Sequence, residues 1–111
     1  MRKSNVSKFF DRFNIAGFTF WDGYMAIDQL RAGVELQLVR EEDNRYDPQA
    51  VAIYLGEYKL GYIPRDNNNI VSKFFDFGYT DIFELRVQCV QPEANPERQV
   101  QVALYIKEAK K

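Results

Sequence analysis

The sequence predicts a mainly β fold: a small, partly open antiparallel barrel of five to six strands with one or two short helices. Three observations point there. Residues 34–40, 82–90 and 99–107 alternate apolar and polar side chains with a period of two, as half-buried strands do. Turn-forming Gly, Pro, Asn and Asp separate the apolar runs at short intervals. One stretch, 66–76, changes to the 3.6 period of an amphipathic helix. Short strands spaced in this way suit a small barrel, where closure protects the edges.

The elements follow in chain order. "SKFFD" occurs at Ser7–Asp11 and again at Ser72–Asp76, and in both places it reads as an amphipathic helical turn ahead of a loop. The flanks differ, "RFNIAG" against "FGYTDI", so it is no duplication. Residues 13–21, "FNIAGFTFW", read as a strand with Gly17 at a bulge or close approach, ended by an Asp22-Gly23 turn. Residues 24–30 form a short helical segment stopped at Gly33. In 34–40, Val34, Leu36 and Leu38 share one face. "QAVAIYLG" and "KLGYIP" pair around a turn near Glu57, and Pro64 closes that unit because it cannot donate to a ladder. Asn67, Asn68 or Asn69 caps the helix, Ile70, Val71, Phe74 and Phe75 form its apolar stripe, and Gly78 stops it. Phe83, Leu85, Val87 and Cys89 point inward from 82–90. After a loop at 93–98, Val100, Val102, Leu104 and Ile106 do the same from 99–107. The expected core therefore comprises Ile15, Leu36, Leu38, Val51, Ile53, Leu60, Ile63, Phe74, Leu85, Val87, Val102 and Leu104. Cys89 is in phase with it as a small buried hydrophobe.

Composition narrows the function. A chain of 111 residues suits one domain, 1–111, with one core. Its net charge is -1, from 15 basic against 16 acidic residues, so no global field attracts a polyanion and any nucleic-acid contact is local. One cysteine and no histidine exclude an intrachain disulfide, a thiolate metal cluster and a histidine-based triad. No apolar run is long enough for a membrane span, and the first twenty residues lack a signal-peptide core, so the expected location is cytoplasmic with no membrane partner. Glu41, Glu42, Asp43 and Asp47 raise the question of a metal, but they lie in one loop without a partner carboxylate placed across from them. No Gly-rich phosphate loop with Lys is present. The expectation is no catalytic residue, no metal and no cofactor: a binding protein rather than an enzyme.

Residues 40–47, "REEDNRYD", are the most unusual stretch. Arg40 and Arg45 stand among four carboxylates, and Asn44 and Asp47 can bond nearby backbone N–H groups as Asx-type turns ahead of Pro48. A purely structural reading is available, in which Arg40 pairs with Asp43 or Asp47 and Tyr46 covers the barrel end. Aromatic content supports a second reading. Phe20 and Trp21 end the first run, Tyr46 lies in the charged loop, and Tyr62 lies near Arg65. Converging rings with one or two cations at the rim hold single-stranded nucleic acid without much net charge.

"IAGFTFWDG" (15–23), "LRAGVELQLVREEDNRYDPQAVAIY" (30–54) and "LGYIPRDNNNIVSKFFDFG" (60–78) together resemble the HIRAN domain family. The likeness covers about residues 13–78, with Arg40, Asn44, Tyr46, Asp47, Ala50 and the "GYIPR" run in the family's spacing; residues 79–111 would complete the barrel. The resemblance implies a modified OB-like barrel that binds single-stranded DNA, in one branch a free 3′ end, during DNA repair or processing. A helicase or nuclease is the partner that such a module would serve. By the same resemblance, an aromatic at Phe20 stacks on a terminal base, with Trp21 beside it. Tyr46 stacks and Asp47 takes the terminal 3′-hydroxyl. Asn44 contacts the end, Arg65 meets phosphate, and Tyr62 stands where that branch has histidine. Thr19 replaces an arginine of that branch, whose phosphate or base contact a hydroxyl reproduces poorly. Thr19 and Arg40 are thus secondary candidates. The alternative is a protein-interaction module, for which the last strand, with exposed Gln99, Gln101 and Lys107, would offer a free edge.

Overall fold

The structure, a computed structural model, describes residues 7–108. Six strands, all antiparallel to their neighbours, form one sheet: β1 (Ser7–Asn14), β2 (Glu35–Arg40), β3 (Val51–Leu55), β4 (Tyr58–Tyr62), β5 (Phe83–Val90) and β6 (Val100–Lys107). Their spatial order is β1-β6-β5-β2-β3-β4. Two short helices, α1 (Gly23–Ala26) and α2 (Asn69–Asp76), complete it. The sheet curls without closing. A single bridge, in which Ala16 and Tyr62 exchange both backbone hydrogen bonds at 2.9 Å, ties the chain beyond β1 to β4. The fold is therefore the mainly β, partly open barrel that the alternating runs predict.

Hydrophobic burial explains the alignment. Leu85 lies opposite Leu104 and Val87 opposite Val102, and all four are nearly inaccessible. They join Ile15, Leu36, Val51, Ile53, Leu60 and Ile63 in one core, with Leu38 packed at its margin. Phe18, which the sequence places in a strand, is among the largest fully buried side chains.

Several elements differ from the sequence expectation. The first "SKFFD" is strand, paired from Ser7↔Lys107 to Phe9↔Tyr105, whereas the second is the end of α2. Residues 13–21 are not one strand. β1 stops at Asn14, Gly17 adopts φ 72°, and Phe18–Phe20 form a 3-10 turn. That left-handed glycine buries Phe18 and leaves Phe20 and Trp21 outside. In α2 the buried stripe is rotated: Val71 and Ser72 are inaccessible and Phe75 packs on the core, but Ile70 and Phe74 are 44% and 41% exposed. Phe74, expected in the core, instead sets its ring edge-on to Phe83 and Tyr79. Cys89 is exposed, because the β5–β6 register shifts between Val87 and Cys89 and the extra residue reverses the alternation. Nor is the last strand an edge. β6 lies between β1 and β5, and Gln99 before it is buried.

Candidate nucleic-acid interface

The 41–50 loop is bonded from within. Arg40 projects beneath it, donating to Asp76 Oδ1 (2.8 Å), the Pro48 carbonyl (2.8 Å) and the Ala50 carbonyl (3.0 Å). Its partner is Asp76 rather than Asp43 or Asp47, so Arg40 braces the loop from α2. Asn44 Oδ1 accepts from the backbone N–H groups of Tyr46 (2.8 Å) and Asp47 (3.0 Å), and Asp47 Oδ1 accepts from that of Gln49 (3.0 Å). These are the Asx-type bonds that the sequence suggests. The second oxygen of Asp47 accepts from Asn68 Nδ2 at 2.9 Å and lies 3.8 Å from Arg65 Nε. Arg65 also donates to the Tyr46 carbonyl. Every polar contact of Tyr46 thus runs through its main chain, and its ring is left 83% exposed.

Phe20, 82% exposed, and Trp21, 46% exposed, come from the turn after Gly17. A small polar cluster lies beside them. Lys59 Nζ donates to Tyr62 Oη (2.6 Å) and Glu41 Oε2 (2.9 Å), and the Tyr62 hydroxyl donates to Glu41 Oε1 (2.9 Å). The same ammonium sits 3.8 Å from the Trp21 ring centroid and 4.5 Å from that of Tyr62, a cation–π contact with both. Burial pushes the Glu41 carboxyl up, but hydrogen bonds from Lys59, Asn44 and Tyr62 outweigh it, and its pKa falls below the ordinary value. For Lys59, burial lowers the pKa and the bonds to Tyr62 and Glu41 more than reverse it. Burial, helped by Glu41, raises that of the Tyr62 hydroxyl against the opposing effect of Lys59.

Local backbone geometry makes this cluster possible. The β3–β4 register shifts between Ile53 and Tyr54, so Leu60 is an extra residue and Lys59 and Tyr62 come within bonding distance of each other. Gly61 permits it: φ is 143°, and a Cβ there would lie 2.2 Å from the Ala16 carbonyl oxygen.

One cleft of about 850 Å³ receives Phe20, Trp21, Asn44, Tyr46, Asp47, Tyr62 and Arg65 together. Thr19 lies outside it, in an adjoining groove with Asn14, Asn67 and Asn95; Gly17 and Phe20 border both. Arg40 does not line the cleft. Sequence reasoning missed Lys59 and the pairing role of Glu41. The only signal for Lys59 is its position next to "LGYIP", and regular alternation would turn it away from Tyr62.

The HIRAN domain model matches residues 9–108, which takes in β2–β6 whole and β1 from Phe9 onward. The chain belongs to the HIRAN domain family. Members are non-catalytic modules that bind single-stranded DNA and 3′ ends in DNA repair. A crystal structure of a protein from Lactobacillus plantarum is similar to this chain over 95% of its length and 99% of that protein's, with a TM-score of 0.77 and 25% identity. No curated protein matches the chain. Among the described residues, no group of three or more His, Cys, Asp or Glu could hold a metal ion.

This HIRAN cleft is electrically balanced. Arg45, Lys59 and Arg65 face Glu41, Asp43 and Asp47, and Lys59 is already engaged by Glu41. Coulomb attraction is therefore not its main resource. Exposed ring area is, with Arg65 (side chain 69% exposed) and the exposed Arg45 as accessible cations beside it.

Proposed function

We propose that this chain holds the free 3′ end of a single DNA strand in the cleft shared by Phe20 and Tyr46. One observation carries the reading: two rings more than four-fifths exposed, supplied by separate segments, line a single cleft in a HIRAN domain. A domain gains nothing from leaving such rings in water, whereas unstacked bases offer them flat apolar faces. Phe20 and Tyr46 stack on bases, with Trp21 beside them, and Arg65 meets a phosphate. Asp47 accepts a hydrogen bond from the terminal hydroxyl, Asn44 holds the loop, and Tyr62 shapes the floor with Lys59. Thr19 lies along the neighbouring groove and makes a weak contact at most. The module works in the cytoplasm and presents the end to a helicase or nuclease partner.

The test is a titration with an oligonucleotide of about ten bases at low salt, a length within the usual footprint of such barrels. Trp21 fluorescence and oligonucleotide anisotropy report binding. Single strands should bind in preference to duplex. A 3′-phosphate should weaken binding, since one hydrogen-bond donor is lost and two like charges meet at Asp47. No signal up to on the order of hundreds of micromolar, a binding free energy of only about 5 kcal/mol, would overturn the reading in favour of a protein-interaction module.

A further inference from the structure

Asn68 occupies the N-cap of α2, where an asparagine side chain ordinarily accepts a hydrogen bond from its own helix. Here it makes no such bond. Its amide is turned to the neighbouring loop instead, and Nδ2 donates to Asp47 Oδ2 at 2.9 Å. The residue is 1% exposed, and its Oδ1 is buried without a hydrogen-bond partner among the described residues. A buried asparagine that forgoes its cap and leaves its carbonyl unpaired is a poor device for stability. Its one evident product is a fixed orientation of the Asp47 carboxylate.

Asp47 has four other attachments, and none can do the same. The Gln49 backbone N–H holds Oδ1 but leaves the plane of the carboxylate free to tilt about that bond. Arg65 Nε is 3.8 Å away on a side chain 69% exposed, so it moves with solvent and ligand. The main chain of Asp47 donates its N–H to Asn44 Oδ1 and its carbonyl accepts from the Ala50 N–H, which places the residue but not its side chain. Asn68 is the buried, immobile partner of the three side chains concerned. Because the carboxylate can only accept, it also sets the amide: the NH₂ faces Asp47 and the carbonyl faces the interior.

From this geometry we infer that Asn68 is a positioning residue for end recognition: it locks Asp47 Oδ2 so that the remaining acceptor sites of the carboxylate point at a strand's terminal hydroxyl. The inference rests on the reading of Asp47 given above. Asn68 touches no DNA itself; it sets how sharply the cleft separates a 3′-hydroxyl from a 3′-phosphate.

The decisive variant is Asn68→Leu, which keeps the branched shape and removes both the donor and the unpaired carbonyl. The readouts are the ratio of affinities for 3′-hydroxyl and 3′-phosphate oligonucleotides, and the Tm. In the native protein the ratio should be at least about tenfold, one charge-assisted hydrogen bond's worth. In Asn68→Leu it should drop to within about twofold while the Tm is held, since the lost hydrogen bond is offset by relief of the buried carbonyl. A native ratio near one would remove the end-reading role of Asp47 and this inference with it. A native ratio of tenfold that persists in Asn68→Leu would overturn the inference alone, leaving Asn68 a structural residue. Should Asn68→Leu not fold, Asn68→Ala is judged by the same ratio.

Discussion

Tyr46→Ala isolates stacking from everything else in the loop. The ring is 83% exposed, so its removal forfeits almost no buried area. The hydrogen bonds of Tyr46 use its N–H, which donates to Asn44 Oδ1, and its carbonyl, which accepts from Arg65. Alanine keeps both. The Tm should therefore stay within about a degree or two of native, as for a surface substitution. Stacking of a base on an aromatic side chain contributes ~1–3 kcal/mol, which predicts a loss of roughly 5- to 150-fold in affinity for a short single strand. Anisotropy titrations of native and variant protein at one low salt concentration measure it. Phe20→Ala, at 82% exposure, should cost a similar factor, and the double variant should approach the product if the rings hold different bases. A change of less than about twofold in Tyr46→Ala, with the fold intact, would refute stacking at this ring, since it lies below the smallest base-stacking contribution.

Four further outcomes test the framework. Gly61→Ala should lower stability by on the order of 3 kcal/mol, and the Tm by more than about 10 °C, because its Cβ would press on the Ala16 carbonyl and its φ suits only glycine; a native-like Tm would disprove the close approach. The lowered pKa of Glu41 means that its contribution is complete above its ordinary value of 4.5 and fades as pH falls through the depressed value, so Glu41→Gln should flatten the acid limb of a Tm–pH curve. Lys59, raised above 10.5, holds its contribution below that pH and loses it as pH rises through the higher value; an alkaline limb unchanged in Lys59→Met would contradict the cluster. Cys89 should react with a maleimide in the native protein at nearly the rate of the unfolded chain, and a need for denaturant would place it back in the core.

The sequence by itself determined what depends on neighbours a few residues apart. The period of two in 82–87 and 100–104 specifies that Phe83, Leu85, Val87, Val100, Val102 and Leu104 face the core, because alternate side chains of a strand share one face; Ala103, buried on the other face, lies outside that pattern. The Asx bonds of Asn44 and Asp47 span two or three residues and are legible without any tertiary contact. The change of period marks α2, and the family spacing marks the rings that meet in the cleft.

Tertiary structure decided what depends on partners far along the chain. "SKFFD" is strand at Ser7–Asp11 because β6 offers it a row of backbone groups, and helix at Ser72–Asp76 because Val71 and Phe75 can reach the core only from a helix. Its local propensity is the same in both places, so long-range hydrogen bonding and burial choose. A single extra residue after Val87 turned Cys89 outward, and another at Leu60 brought Lys59 to Tyr62. Neither shift is written in the alternation, since a bulge exists only between two strands. Arg40 found Asp76, 36 residues away, rather than the carboxylates beside it in sequence. Asn68 turned from its own helix to Asp47 for the same reason: which groups are left unpaired in the interior is known only when the chain has closed around them.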